Sequence, residues 1–138
     1  MIRRALVTGA TGGLGRTLVP LLVTAGYDVR ATGRDVAIGA TLGVPFVRAD
    51  LVNDRLDGLV EGIDCIFHLA ALSSQWGRPA AFEAANVAAT RRLLAAARGA
   101  CARRFVFTST PSIYAASRDR LDLTERDPAA QPFANDYA

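Results

Sequence analysis

The sequence contains no lysine, and all 16 of its basic residues are arginine. It has a single histidine, His68, so a metal site built from several histidines is excluded. The two cysteines, Cys65 and Cys101, lie far apart in apolar or helical surroundings. We therefore expect two buried free thiols, and neither a disulfide nor a metal site.

Long hydrophobic runs are also missing. No run is long enough to span a bilayer, and the N-terminus enters a strand without the pattern of a signal peptide. These absences predict a soluble, cytoplasmic protein with no membrane partner. The arginines are scattered and the net charge is only +3, so the pattern gives no support to a nucleic-acid partner. With 138 residues and 51% hydrophobic side chains, the chain fits one domain, residues 1–138, built on a sheet buried on both faces.

The most informative stretch is the glycine-rich turn near the N-terminus. Residues 5–8 (ALVT) predict a buried strand, and leucines at helical spacing follow the turn. The first turn of a helix carries unpaired N–H groups and a partial positive charge, and glycine lets a diphosphate approach them without meeting a Cβ. Gly9 then allows the sharp turn, Gly12 the close approach of phosphate, and Gly15 the packing of helix on strand. The N–H groups expected to hold the phosphates are those of Gly12, Gly13 and Leu14.

The alternative is an uninvolved turn, because glycine-rich turns are common. The segment TGATGGLG, however, resembles the TGxxGxxG of the extended short-chain dehydrogenase/reductases, a family of sugar-nucleotide epimerases, dehydratases and hydroxysteroid dehydrogenase-like enzymes. The resemblance implies a dinucleotide cofactor held at this turn, with Thr11 among its contacts. It also implies an α/β fold with a Rossmann-type doubly wound parallel sheet of strand order 3-2-1-4-5.

Hydrophobic periodicity and turn residues predict the remaining elements. We expect the first helix to end near Ala25, with Gly26 as its cap, and a loop or short helix at 36–43. Strands are expected at 29–32, 44–49, 64–69 and 104–109, and helices at 53–60 and 82–100.

The end of the second strand is where such folds distinguish NAD from NADP. A carboxylate there accepts hydrogen bonds from the adenosine ribose, whereas an arginine pairs with a 2′-phosphate. This sequence has Gly33 followed by Arg34, and Asp35 comes two places late. We expect NADP to be preferred. The alternative is that Arg34 is a solvated loop charge and the protein takes NAD.

The family resemblance implies further cofactor contacts after the third and fourth strands. Asp50 and Leu51 correspond to residues that contact adenine, although Asp50 also fits the N-cap of the next helix. His68 begins a segment similar to HxAA, in which small residues let the backbone pass close to the cofactor, and His68 itself is expected to be structural rather than catalytic. The other residues that the resemblance assigns to the cofactor region are Leu69, Ala70, Ala71, Ser73, Asn86 and Thr108.

The segment after the fifth strand resembles the S-[ST]-x-x-[VI]-Y that carries the family's active-site hydroxyl. By that resemblance the hydroxyl is Thr110, with Ser109 as the second candidate and a plain turn as the alternative. Tyr137 corresponds to the catalytic tyrosine. An ordinary tyrosine has a pKa of about 10, and a neighbouring lysine is what lowers it toward the working range. Since the chain contains no lysine, we expect a fragment of a longer enzyme with very little activity of its own.

Three functions remain open at this point. The first is the cofactor-binding part of an NAD(P)-dependent oxidoreductase or sugar-nucleotide epimerase/dehydratase, which moves a hydride at a carbon bearing a hydroxyl or carbonyl. The second is a non-catalytic NADP(H)-sensing module, and the third an interaction protein without cofactor. The small-molecule substrate is open, with Gln75, Trp76 and Tyr114 as contributors from this side. The bare edge of strand 5 also predicts self-association.

Overall fold

Five short strands form one parallel sheet in the computed structural model, which describes residues 3–74, 76–116 and 120–138. The predicted contributor Gln75 lies outside the described residues. The order β3-β2-β1-β4-β5 confirms the predicted topology, and each neighbouring pair of strands is parallel. The strands are β1 (Arg4–Thr8), β2 (Asp28–Gly33), β3 (Phe46–Arg48), β4 (Cys65–His68) and β5 (Arg104–Phe107).

The helices connect successive strands and cover both faces of the sheet. α1 (Gly13–Thr24) follows β1, α2 (Val36–Gly39) follows β2, and α3 (Asp57–Val60) precedes β4. Between β4 and β5 the chain is helical from residue 79 to residue 99, as α4 (Pro79–Phe82), a π-helical turn (Glu83–Ala88) and α5 (Ala89–Gly99). A 3₁₀ helix, Pro111–Tyr114, follows β5.

β1 is the centre of the fold. Its residues Ala5, Leu6 and Val7 are fully buried, because a central parallel strand is covered on both faces. Leu6 belongs to the cluster under α3 and α5, and Val7 to the cluster under α1. The alternation of side chains along one strand thus divides the core into two layers, one on each face of the sheet.

Several predicted boundaries were wrong. The helix expected at 53–60 begins only at Asp57, and the residues before it form turns. The reason is a competing set of hydrogen bonds, in which the Asp50 N–H donates to Asp54 Oδ2 and the Arg92 guanidinium donates to the carbonyls of Leu51, Val52 and Asp54. The helix expected at 82–100 begins earlier, at Pro79, a residue well suited to a first helical position.

The cysteine prediction holds for one residue and fails for the other. Cys65 is buried in β4. Cys101 is exposed, because it lies beyond the end of α5 in the turn toward β5, with a positive φ of 57°. Neither forms a disulfide.

The free edge of β5 exposes apolar side chains. Val106 is 36% exposed and Phe107 is 56% exposed. β5 pairs with β4 through the register from Cys65–Arg104 to His68–Phe107. As for the membrane, none of the described helices has the length and apolar character needed to cross one.

Arg92 offers a test of how α5 is tied to the loop after β3. Its guanidinium donates to three loop carbonyls, including Asp54 O at 2.6 Å. We expect Arg92→Ala to lower the free energy of unfolding by about 2 kcal/mol, since the hydrogen bonds involve a charged group and leave carbonyls unpaired. Urea denaturation monitored by circular dichroism gives the value.

The neighbouring Arg91 is the matched control. Its side chain is 75% exposed and its ion pair with Glu83 spans 3.7 Å. Arg91→Ala should change the stability by no more than about 0.5 kcal/mol. Equal losses for the two variants would show that the carbonyl contacts of Arg92 contribute nothing specific.

Candidate functional site

A crevice of 440 Å³ lies at the carboxyl ends of the central strands. Its floor is the turn after β1, its two sides are the ends of β2 and β4, and α4 and the helical turns that follow close its back. The carboxyl edge at which the strand order reverses is the place where open α/β sheets bind ligands. The lining residues are Thr8, Gly9, Thr11, Gly12, Thr32, Gly33, Arg34, Ala49, Asp50, Leu51, Val52, Leu69, Ala70, Ala71, Leu72, Ala81, Ala85 and Ala89.

Two glycines let the backbone segments of this crevice meet. Gly9 has a φ of +64°, and a Cβ built on it would lie 2.8 Å from the backbone nitrogen of Ala70. A Cβ on Gly15 would lie 2.4 Å from the carbonyl oxygen of Gly9 and 2.5 Å from the Cα of Ala10. Any larger residue at either position would push the first helix or the loop after β4 away from the crevice.

The start of α1 presents backbone N–H groups next to this turn. Gly12 is the N-cap and has no side chain to cap the helix. The N–H of Gly12 donates to Gly9 O at 3.0 Å, so the prediction that this group is free for phosphate is wrong. In the described part of the chain, no acceptor binds the N–H groups of Gly13 and Leu14, and nothing stands within 4 Å of a Cβ built on Gly13. The corner is open, as an anion site at a helix N-terminus requires.

The end of β2 carries Gly33 and Arg34 into the crevice. Arg34 is exposed, and Asp35 is used locally, because its Oδ1 accepts a hydrogen bond from Ile38 N at 2.9 Å and caps α2. A Cβ on Gly33 would lie 2.9 Å from Thr11 Oγ1. Thr11 thus occupies the space that a side chain at the Gly33 position would need.

Asp50 lies on the same side of the crevice as the end of β2, on the loop after the neighbouring strand β3. Its carboxylate accepts hydrogen bonds from Asn53 Nδ2 at 2.8 Å and from Val52 N at 3.0 Å. These hydrogen bonds, with a smaller contribution from the positive charge of Arg34, lower the pKa of Asp50 below its ordinary value. Asp50 therefore caps a turn, not the helix for which it was proposed as N-cap, and it remains ionised beside Arg34.

The loop after β4 forms the opposite side of the crevice. Leu69, Ala70 and Ala71 line it, and the N–H groups of Leu69 and Ala70 both donate to Thr8 Oγ1 at 3.2 Å. Asn86, from the π-helical turn, holds the same loop at Leu72. Its Oδ1 accepts from Leu72 N at 2.7 Å, and its Nδ2 donates to Leu72 O at 3.1 Å.

His68 is buried behind this loop. It is 1% exposed, with Nδ1 2.7 Å from Thr8 Oγ1 and Nε2 2.9 Å from Thr90 Oγ1. The rings of Phe105 and Phe107 lie 5.7 and 5.9 Å from the imidazole. Burial lowers the pKa of His68 to about 4, so the ring is neutral. This placement agrees with the structural role predicted for it.

The candidate catalytic hydroxyls lie outside the crevice lining. Thr110 caps the 3₁₀ helix, where its Oγ1 accepts from Ser112 N at 3.2 Å and donates to Ser112 Oγ at 3.0 Å. The ring of Tyr137 lies 6.5 Å from that of Phe82, at the start of the helical segment. No hydrogen bond joins Thr110 and Tyr137 within the described ranges. Three other predicted residues are exposed and also lie outside the lining: Ser73, Thr108 and Ser109.

The backbone next to Tyr137 forms a turn that Asn135 holds. Asn135 Oδ1 accepts hydrogen bonds from the N–H groups of Tyr137 and Ala138, at 3.1 and 3.0 Å. An asparagine side chain that accepts from the backbone two residues later is typical of an Asx turn, so Asn135 fixes the turn that carries Tyr137. Trp76, the other aromatic residue considered for the substrate side, is 86% exposed and does not line the crevice.

Sequence reasoning missed the back wall of the crevice. Ala81, Ala85 and Ala89 form it, at a spacing of four residues along α4, the π-helical turn and α5. Because these side chains are small, the crevice stays wide at its back. The spacing is visible in the sequence, but on a helix with many alanines it does not distinguish a crevice wall from a face packed in the core. In the described residues, no group of His, Cys, Asp or Glu could hold a metal ion.

The single histidine gives a direct test of this burial. The pKa is about 4 in the folded chain, against 6.5 when unfolded, so the unfolded state binds a proton first as the pH falls. The free energy of unfolding therefore has its full value above pH 6.5 and decreases below that pH, by about 2 kcal/mol at pH 5. Urea denaturation at pH 7.5 and pH 5 measures the loss.

The control is His68→Asn, which removes the only imidazole. Its stability should be lower than that of the wild type but nearly the same at the two pH values. The carboxyl groups with lowered pKa, such as Asp50, titrate below this range and do not interfere. A wild-type stability that does not change between pH 7.5 and pH 5 would contradict a neutral, buried His68.

Comparison with known proteins identifies the family. The NAD dependent epimerase/dehydratase family model matches residues 5–138. YbjS of Escherichia coli (strain K12) is 43% identical over 98% of this chain and 42% of its own length. The 2-alkyl-3-oxoalkanoate reductase of Shewanella oneidensis is 36% identical over 99% of this chain and 36% of its own length.

A solved structure agrees with these matches. A short-chain dehydrogenase/reductase superfamily protein from Agrobacterium tumefaciens, with bound NAD, is 33% identical and superposes with a TM-score of 0.85 over 98% of this chain and 40% of that one. The chain thus spans less than half the length of these relatives. The chain therefore belongs, over residues 5–138, to the NAD-dependent epimerase/dehydratase family of extended short-chain dehydrogenase/reductases.

Proposed function

We propose that the crevice binds a nicotinamide dinucleotide and that the chain is the cofactor-binding part of an NAD(P)-dependent oxidoreductase or epimerase/dehydratase. The observation that carries this proposal is the open corner at Gly13 and Leu14, where two unbonded N–H groups lie next to a turn that has no room for a Cβ at Gly9 or at Gly15. That corner fits a diphosphate and lies at the carboxyl edge of the sheet. The small residues of the loop after β4 leave room for the rest of the molecule.

The bound cofactor would supply or accept a hydride. In this chain the residues proposed for the chemistry are Thr110, with Ser109 as second candidate, to orient the substrate oxygen, and Tyr137 to exchange its proton. The sequence offers no lysine to lower the pKa of a tyrosine. We therefore expect cofactor binding without appreciable turnover from these residues alone. Neither the family nor the named relatives favour a non-catalytic binding module.

NADP is the proposed cofactor. Arg34 is exposed at the end of β2, Gly33 brings no carboxylate, and the nearest acid, Asp35, is occupied with capping α2. A ribose diol would therefore find no carboxylate at this position, whereas a 2′-phosphate would find a guanidinium. The cytoplasmic location remains a prediction from the sequence.

The cofactor proposal is tested by titrating NADPH and NADH into the wild-type chain and into Arg34→Ala. We expect the wild type to bind NADPH at least tenfold more tightly, a difference of about 1.4 kcal/mol, and Arg34→Ala to lose that preference while NADH binding stays the same. Titration calorimetry gives both affinities.

Arg55→Ala is the matched control, because its side chain is 94% exposed and does not line the crevice. It should leave both affinities unchanged. Tighter binding of NADH by the wild type, or an equal loss in both variants, would reject the NADP preference. Failure of both dinucleotides to bind at millimolar concentration would reject cofactor binding itself.

We also propose that the chain self-associates through β5. Val106 and Phe107 are exposed on the strand at the free edge, and an unpaired apolar edge is a template for pairing with a second copy. Sedimentation over a concentration series should show dimers that dissociate on dilution. Val106→Arg should shift the equilibrium to monomer, because it places a charge in the contact.

Val47 of β3, 42% exposed, provides the control at the opposite edge of the sheet. Val47→Arg should leave the dimer intact, since β3 has only three residues to pair. A monomer at every concentration would overturn the proposal, and so would dissociation by both variants alike.

A further inference from the structure

A chain of hydrogen bonds runs behind the crevice from β1 through β4 to the long helical segment. It begins at Thr8, the residue before the glycine turn, and continues through His68 to Thr90. Thr90 Oγ1 then donates to the carbonyl of Asn86 at 2.7 Å. Thr8 and His68 are paired across β1 and β4, so the sheet register itself brings the first two side chains together.

The partners of Thr8 determine which nitrogen of His68 carries the proton. Thr8 Oγ1 accepts two N–H donors, from Leu69 and Ala70. A hydroxyl has two lone pairs and one proton, so its proton is left to donate to His68 Nδ1 at 2.7 Å. Nδ1 is therefore unprotonated, and in the neutral ring the proton is on Nε2.

The other end of the network agrees with this assignment. Thr90 Oγ1 uses its own proton on Asn86 O, so toward His68 it is an acceptor, and the Nε2–H donates to it at 2.9 Å. Each hydrogen bond from Thr8 through His68 and Thr90 to Asn86 then joins one donor to one acceptor. In the described residues, no buried side-chain nitrogen or oxygen lacks a hydrogen-bond partner.

Both ends of this hydrogen-bond network contact the same loop, at 69–72. Thr8 holds the N–H groups of Leu69 and Ala70, and Asn86 holds the N–H and carbonyl of Leu72. His68 joins these two attachments, so the loop at 69–72 is fixed at its beginning and at its end. The π-helical turn, which includes Asn86, is a local irregularity of a kind that is frequent at functional sites.

We propose that His68, as the Nε2–H tautomer between Thr8 and Thr90, is a positioning residue that sets the crevice wall at 69–72 for the nicotinamide half of the dinucleotide. The proposal rests on the proposed function. The proposal predicts different effects on the two halves of the ligand. The sheet order places the loop after β4 on the opposite side of the glycine turn from Arg34 and Asp50, where the adenosine half would bind. His68 is fully buried, and it acts through the loop rather than on the reacting atoms.

Two variants interrupt the hydrogen-bond network, and a third restores part of it. Thr90→Val removes the acceptor of the Nε2–H at nearly constant volume. His68→Asn retains an acceptor for Thr8 but is too short to reach Thr90, whereas His68→Gln extends an amide nitrogen toward Thr90.

Two controls separate positioning from stability. Thr24→Val removes a helical threonine hydroxyl that donates to the carbonyl four residues earlier, as Thr90 does, but on α1. Ile66→Val trims a buried side chain of β4 two residues before His68, on the same face of the sheet, and removes no hydrogen bond of the network.

The affinities for NADPH and for 2′,5′-ADP, which carries only the adenosine half, are measured for each variant by calorimetry. We expect Thr90→Val and His68→Asn to weaken NADPH about tenfold, the effect of one lost positioning hydrogen bond, and to leave 2′,5′-ADP within about twofold. His68→Gln should recover part of the loss, and both controls should bind like the wild type.

The tautomer is measured separately by ¹⁵N nuclear magnetic resonance of the imidazole, which needs no assignment because the chain has one histidine. The wild type should show a proton on Nε2 alone. Unchanged NADPH affinity in Thr90→Val and His68→Asn, equal losses for the two ligands, or a proton on Nδ1 would overturn the proposal. If the wild type binds neither ligand, the proposed function fails and the binding role of His68 fails with it, whereas the tautomer measurement still tests the network.

Discussion

The close contact between the start of α1 and the end of β1 is the constraint on which the site depends. Gly15 lies against Gly9 and Ala10 so tightly that no Cβ fits, and Gly9 lies equally tightly against Ala70. Three elements therefore converge on one turn, and their meeting brings the free N–H groups of α1 next to the loop after β4. A methyl group at either glycine would separate these elements, because backbone atoms cannot move aside as a flexible side chain can.

The fold could be predicted from the sequence because its signals are local and consistent with one another. The alternation of apolar strands with helical segments, and the glycine turn between the first pair, leave few topologies once crossovers are right-handed. Once the topology is known, the general rule for open α/β sheets places the crevice at the carboxyl ends of the strands. The local signals do not predict the hydrogen bonds around Asp50, because Arg92, from a helix far along the chain, holds the turn at 50–54.

The candidate site was predicted in its backbone and less well in its side chains. Gly9, Gly12 and the loop from Leu69 to Ala71 line the crevice, but the Gly12 N–H is already bonded within the turn. The links from His68 to Thr90 and from Asn86 to Leu72 depend on the register of β4 and on a π-helical turn that shifts the helical phase. Periodicity of 3.6 residues contains no sign of such a turn. The predicted burial of Cys101 was wrong for a related reason, because the turn that follows a helix decides where the helix ends.

The end of the crevice beside β2 and β3 combines opposite charges, and their different environments decide which one a ligand meets. The carboxylate of Asp50 is bonded to Asn53 and Val52, which disperse its charge and lower its pKa. Arg34 is exposed and lines the crevice. An incoming anion therefore gains the full attraction of Arg34 against a repulsion from Asp50 that its hydrogen bonds reduce. Because Thr11 fills the space beside Gly33, a side chain with a carboxylate could not be placed there without moving Thr11. Under the proposed function, the turn after β1 and the end of β2 would together set the choice between NAD and NADP.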